Sequence, residues 1–130
     1  MSKEEQVYKP TPIYVSGFPK GKEDYIAELE KCEFPDGSKR FNVKKFYQYD
    51  EGRALTKLEL ADNVFKNIRR SDWIIMLHEW YDNERSVVEY LYAKEHLTWV
   101  FEPDVTLSFE NSVKQFVDTN IVMQAYAYGS

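Results

Sequence analysis

Ser71-Asp72-Trp73-Ile74-Ile75-Met76-Leu77 is an acid-led apolar run of strand length, and the residues after it decide how the chain folds. The polar, aromatic stretch His78-Glu79-Trp80-Tyr81-Asp82-Asn83-Glu84-Arg85 comes next. Then Ser86-Val87-Val88-Glu89-Tyr90-Leu91-Tyr92-Ala93-Lys94 takes up helical spacing, with a helix expected from Val87 to about Glu95. A strand from Trp73 to Leu77, a loop and a helix in that order form half of a βαβ unit. Glu89, in the helix's first turn, is thereby set just beyond the carboxyl end of a central strand, where open α/β sheets leave a crevice for ligands.

Working outward, Ala54 to Arg70 carries Leu58, Leu60, Ala61, Val64, Phe65 and Ile68 at helical spacing and closes on two arginines, as the helix dipole favours. Downstream, Leu97-Thr98-Trp99-Val100-Phe101 reads as a strand halted near Pro103, and a further helix is expected around Asn111 to Asp118 before the aromatic end Ala125-Tyr126-Ala127-Tyr128. Upstream, Ile13-Tyr14-Val15 is a short buried strand ending on Ser16-Gly17, followed by the loop Ser16 to Lys22 and a helix over Glu23 to Lys31 with Tyr25, Ile26 and Leu29 on one face. A second strand is expected within Arg40 to Tyr49, broken by Asp50-Glu51-Gly52, and residues 1–11 read as a loose arm. Strands alternating with helices imply an α/β domain: a three-layer flavodoxin-like or Rossmann-like arrangement around a parallel sheet of four or five strands.

The 130 residues make one domain, long enough to bury roughly 70% of the unfolded surface. A formal charge of -5 opposes binding to a nucleic acid polymer, which demands a basic face. The single Cys32 excludes an internal disulfide, and one Cys with two His gives no zinc set, so neither metal nor cofactor is expected. The amino-terminal residues lack the apolar core of a signal peptide and no segment has membrane-spanning length, which leads to the expectation of a cytoplasmic protein with no membrane partner. Aromatic residues make up 16%, with ten Tyr and eight Phe, an excess that suits a ring-stacking pocket or an oligomer interface.

Two stretches could carry chemistry. In Ser16-Gly17-Phe18-Pro19-Lys20-Gly21-Lys22, glycine permits close backbone approach and the helix start beyond it aims free N-H groups at a phosphate or sugar hydroxyl; a plain strand-to-helix turn with solvated lysines fits the same residues. Glu89 likewise has two readings. Ser86-Val87-Val88-Glu89 has the pattern of a capping box, in which the glutamate satisfies a backbone donor. A carboxylate in that place is also a nucleophile for an anomeric carbon. Trp80 could stack on a base or serve packing, and Asn83 is close enough through the turn to orient a ribose hydroxyl.

At these residues the chain resembles the nucleoside 2-deoxyribosyltransferase-like superfamily. Tyr14-Val15-Ser16-Gly17 is similar to the opening strand of its members, Gly21-Lys22-Glu23-Asp24 to a motif of the 2'-deoxynucleoside 5'-phosphate N-hydrolases, and Asp72-Trp73-Ile74-Ile75 to an acid-led strand. Trp80 stands nine residues before Glu89, the spacing of the short members. The resemblance spans about Pro12 to Phe101. It implies that Glu89 is the nucleophile, that Asn83 takes the place of a sugar-contacting Ser or Asp, and that Tyr14, Ser16 and Gly17 line the pocket, with Phe18, Gly21, Lys22, Trp80 and Ser86 beside them. The chain departs from the pattern at Arg85, where the family has Gly, at Phe18, where it has Pro, and near Val64, where the family's acid has only Asp62 close by. The implied activity is cleavage of the N-glycosidic bond of a nucleoside or a (deoxy)nucleoside 5'-monophosphate, with hydrolysis or transfer to another base. Arg85 keeps open a non-catalytic nucleotide binder on the same fold. The resemblance also implies a homo-oligomer, dimer or higher, in which a neighbour's carboxyl-terminal region completes the site.

Overall fold

The structure is a computed structural model and describes residues 8–17, 21–44, 49–50, 53–54 and 56–128. Its frame is a four-stranded, all-parallel sheet with helices on both faces, a three-layer flavodoxin-like α/β fold. The strands are β1 (Thr11–Ser16), β2 (Phe41–Lys44), β5 (Trp73–Met76) and β6 (Trp99–Phe101), in spatial order β2-β1-β5-β6. Two short strands, β3 (Tyr49–Asp50) and β4 (Arg53–Ala54), pair antiparallel apart from that sheet. The helices are α1 (Lys22–Glu30), α2 (Lys57–Arg69), α3 (Glu84–Glu95) and α4 (Phe109–Tyr128). Among the described residues no helix is long and apolar enough to cross a membrane.

Period-two alternation in β1 and β5 sorts the side chains into two cores. Ile13 and Val15 with Trp73, Ile75 and Leu77 face α1 and α4, where they meet Tyr25, Leu29, Val113 and Phe116. Tyr14 with Ile74 and Met76 faces the other way, toward Val64 and Ile68 of α2 and Ala93 of α3. Both layers are closed: Ile13, Leu29, Ile68, Ile74, Ile75 and Phe116 have no exposed surface. The first core is rich in rings, Trp73 lying edge-on to Phe116 at 5.2 Å and tilted against Trp99 at 5.1 Å.

The chain leaves β1 for β2 on one side and returns through α2 to β5 on the other. The strand order therefore reverses between β1 and β5, and the crevice of an open α/β sheet opens at their carboxyl ends.

Several expected boundaries move, each for a local reason. The arm does not run to residue 11: Thr11 opens β1 and its N-H bonds the Arg40 carbonyl at 2.9 Å, while residues 1–7 lie outside the described part. Pro12 is tolerated because its position needs only an acceptor, and its carbonyl takes the Asp72 N-H at 2.9 Å. Of the expected strand over 40–49, Phe41–Lys44 form β2, while Tyr49 and Asp50 pair antiparallel with Ala54 and Arg53; residues 45–48 and 51–52 lie outside the described part. Ala54 belongs to β4, and α2 starts at Lys57 behind a Thr56 cap. Leu97 is not in β6; it stands in the left-handed region at φ 59, ending α3. The last helix runs for 20 residues: Val113, Phe116 and Asn120 form one buried stripe along its first part, and beyond them the sequence holds no proline or glycine up to Tyr128 to stop it.

Candidate functional site

Glu89 is 3% exposed, and two hydroxyls from β1 hold its carboxylate. Ser16 Oγ donates to Oε1 at 2.6 Å and Tyr14 OH donates to Oε2 at 3.1 Å. Tyr14 and Ser16 stand on one face of β1 by strand alternation, and that face meets the stripe Ser86, Glu89 and Ala93 of α3. The sheet presents the donors and the helix the acceptor.

This arrangement replaces the capping-box reading. The helix begins at Glu84, ahead of the expected Val87, and its cap is Asn83, whose side-chain oxygen accepts the Ser86 N-H at 3.2 Å. Glu89 falls in the second turn, beyond reach of the first backbone donors. The capping box among the described residues is on α2, where Thr56 accepts from the Glu59 N-H and Glu59 accepts from the Thr56 N-H. Asn83 thus has its carbonyl oxygen committed to the helix start.

Burial pushes the Glu89 carboxyl above the usual glutamate range, against the pull of the Ser16 and Tyr14 hydrogen bonds and of the Lys22 and Arg85 charges. Burial also raises the Tyr14 phenol, helped by the adjacent Glu89 charge, so Tyr14 stays a neutral donor. Lys22 is lowered by burial, with Glu89 opposing that shift and Arg85 adding to it. The site is one buried acid balanced by two hydroxyls and two cations.

Glu89 opens on a hollow of about 360 Å3 between α2 and α3. Leu60, Ala61, Val64 and Phe65 form the α2 wall, Arg85 and Val88 the α3 wall, and Lys57 stands at the start of α2. The hollow is large enough for a small organic ligand and mostly apolar, with a few charged groups to orient it. Arg85 is exposed beside the hollow and does not plug it.

The remaining expected site residues are spread more widely. Gly17 is buried at the end of β1, and Gly21 caps α1 at φ 92, packed so closely that an added Cβ would meet the Phe109 ring at 3.1 Å. Phe18 lies outside the described residues. Ser86 is fully buried one turn before Glu89, and its hydroxyl has no hydrogen-bond partner among the described residues. Trp80 is turned away from the hollow: its ring stacks on Tyr90 at 4.6 Å and its Nε1-H donates to Glu102 at 2.9 Å. Asp62 is exposed on α2 outside the hollow's lining. The aromatic wall is Phe65 instead, a residue that the sequence marks only as part of a helical apolar stripe.

A second hollow, of about 210 Å3, lies where the loops after β1, β5 and β6 converge, with Lys22 in its wall. Among the described residues no group of three or more His, Cys, Asp or Glu side chains is placed to hold a metal ion. No protein-family model, curated protein or solved structure matches the chain.

Proposed function

We propose that this chain cleaves the N-glycosidic bond of a nucleoside or a (deoxy)nucleoside 5'-monophosphate, and that it is a nucleoside 2-deoxyribosyltransferase-like protein. The observation that carries the reading is the Glu89 carboxylate: buried, gripped by Tyr14 and Ser16, and opening on a ligand-sized hollow. Holding both oxygens fixes the carboxylate's direction, which is what a nucleophile aimed at one carbon requires.

Glu89 attacks C1' of the sugar, the C1'-N bond breaks, and its electron pair leaves with the base, which takes a proton from water. A second water then attacks C1', the ester C1'-O bond breaks, and Glu89 is regenerated as a carboxylate with release of one proton; another base in place of that water gives transfer. Phe65 and Val64 supply an apolar bed for a ring. Arg85 and Lys57, cations on the same hollow, suit a substrate bearing a phosphate. The assembly is a homo-oligomer, as the resemblance implies.

Arg85 also favours a second reading, a nucleotide-binding protein without chemistry, because a guanidinium on the rim of the hollow can hold a phosphate whether or not Glu89 reacts. One experiment separates the two. Incubation with deoxynucleosides and their 5'-monophosphates, followed by chromatography, is expected to yield free base from wild type and none from Glu89→Gln. A ligand-dependent rise in melting temperature without free base from wild type would establish the binding reading; neither effect would sink both.

A further inference from the structure

The second hollow belongs to the opposite face of the sheet from the Glu89 hollow, yet it opens at the same carboxyl edge. Its wall is built from three loops: Gly21 and Lys22 after β1, Leu77 and His78 after β5, and Pro103 to Leu107 after β6. Tyr25 and Ser112 lie deeper, and there the Tyr25 hydroxyl and Ser112 Oγ share a buried hydrogen bond of 3.2 Å. Leu77, Leu107 and Phe109 make the sides apolar, while Phe109 and Val105 remain 42% and 59% exposed at its mouth. Lys22 lines this hollow and its charge also acts on Glu89, although it is not part of the other hollow's wall.

We infer that this hollow is a binding site for a free planar heterocycle of the nucleobase class, separate from the hollow that holds the sugar and its leaving group. Three observations select that ligand. At about 210 Å3 the space is below the range of whole-ligand pockets, so it takes a single ring system and not a nucleotide. Its apolar sides suit the faces of a flat ring, and the edge of Phe109, already set at 77° to Tyr25, gives it an aromatic border. The buried pair is ambivalent: either hydroxyl can be the donor, so the pair can present a donor or an acceptor to the edge of a heterocycle. A purely aliphatic or benzenoid ligand would leave that capacity unused. The choice of a base, as opposed to another heterocycle, rests on the glycosidic reading of Glu89, since it is a base that such a reaction frees or takes up.

The test uses adenine, hypoxanthine, cytosine and thymine as probes, titrated into the whole chain and followed by amide chemical shifts, with toluene as a flat-ring control that has no hydrogen-bonding group. At least one base is expected to move resonances of Leu107, Phe109 and Ser112, and to bind at least tenfold more tightly than toluene. Leu107→Trp, which fills the hollow, is expected to weaken that binding at least tenfold while leaving release of base from a nucleotide substrate intact. Ser112→Ala should narrow the margin over toluene. Glu89→Gln should abolish base release and leave base binding at this hollow unchanged, so the two readings fail separately. The inference is overturned if no base binds at millimolar concentration, if shifts cluster only around Phe65 and Glu89, if toluene binds as well as the bases, or if Leu107→Trp binds them as wild type does.

Discussion

Tyr14 does two jobs that its position in the sequence does not separate. As a residue of the inner strand it fills the core between the sheet and α2; through its hydroxyl it steadies the charged form of Glu89. A hydrogen bond to a buried charge is worth about 1.5–3 kcal/mol. Removing it in Tyr14→Phe should therefore lift the Glu89 carboxyl further above the ordinary range and move the acid limb of the pH-rate profile upward. A merely structural Tyr14 would lower the amount of folded protein and leave that limb in place. The linkage to stability has a definite sign. A carboxyl whose folded pKa is raised holds its proton more tightly in the folded state, so its contribution is full below the unfolded glutamate pKa and is lost as pH rises through the raised value. Glu89→Gln should consequently melt at or above wild type near neutrality, with the difference shrinking toward acid; a Gln variant that melts well below wild type at pH 7 would contradict burial as the dominant influence on Glu89. The candidacy of Glu89 was legible from its position after a strand. Its two partners were legible only as lining residues, because hydrogen bonds across 73 and 75 positions are set by the pairing of β1 with β5 and α3, which no local pattern records.

Helix α3 shows how tertiary demand overrides a local signature. Thr56-x-x-Glu59 and Ser86-x-x-Glu89 are equivalent as patterns, yet only the first forms a capping box. At the second, two strand hydroxyls claim the glutamate, and the cap moves back to Asn83, an equally good capping residue. Both caps should contribute about 1 kcal/mol, and losing either should lower the melting temperature by about 4 °C. Their effects on chemistry should differ. Asn83→Ala frays the turn that carries Arg85 and Ser86 and precedes Glu89, so base release should fall together with stability. Thr56→Ala loosens only the end of α2 at Lys57, and kcat should hold at wild-type level in protein that is still folded. Equal losses of kcat in the two variants would mean that α3 positions nothing that α2 does not. The same contrast applies to Trp80: its spacing from Glu89 suggests a place beside the site, but the turn it occupies, Trp80–Asp82, is a 3-10 helix in which the indole stacks on Tyr90.

Across the whole molecule, the alternation of strands and helices sufficed to give the layers, whereas the sorting of Ile13 and Val15 from Tyr14 and Ser16 shows only once β1 is packed, because a run apolar on both faces does not mark its sides. The extent of α4 was less visible, since its amino-terminal half is amphipathic while its end is apolar nearly all round. Up to Asn120 the helix has a buried stripe, and Asn120 itself is fixed by the Trp73 indole at 2.9 Å. Past that point Ile121, Val122 and Tyr126 are 50%, 65% and 86% exposed. An apolar helix end of this kind is a surface that association covers, in keeping with the proposed homo-oligomer. Wild type should sediment as a dimer or larger species, and Val122→Glu combined with Tyr126→Glu should sediment as a monomer with an unchanged far-ultraviolet spectrum, because neither side chain contributes to the two cores. Should the site be shared between copies, base release by the double variant should fall with its state of association and recover at high protein concentration. A wild type that sediments as a monomer would remove the shared site while leaving Glu89, Tyr14 and Ser16, which all belong to one chain, fully able to act.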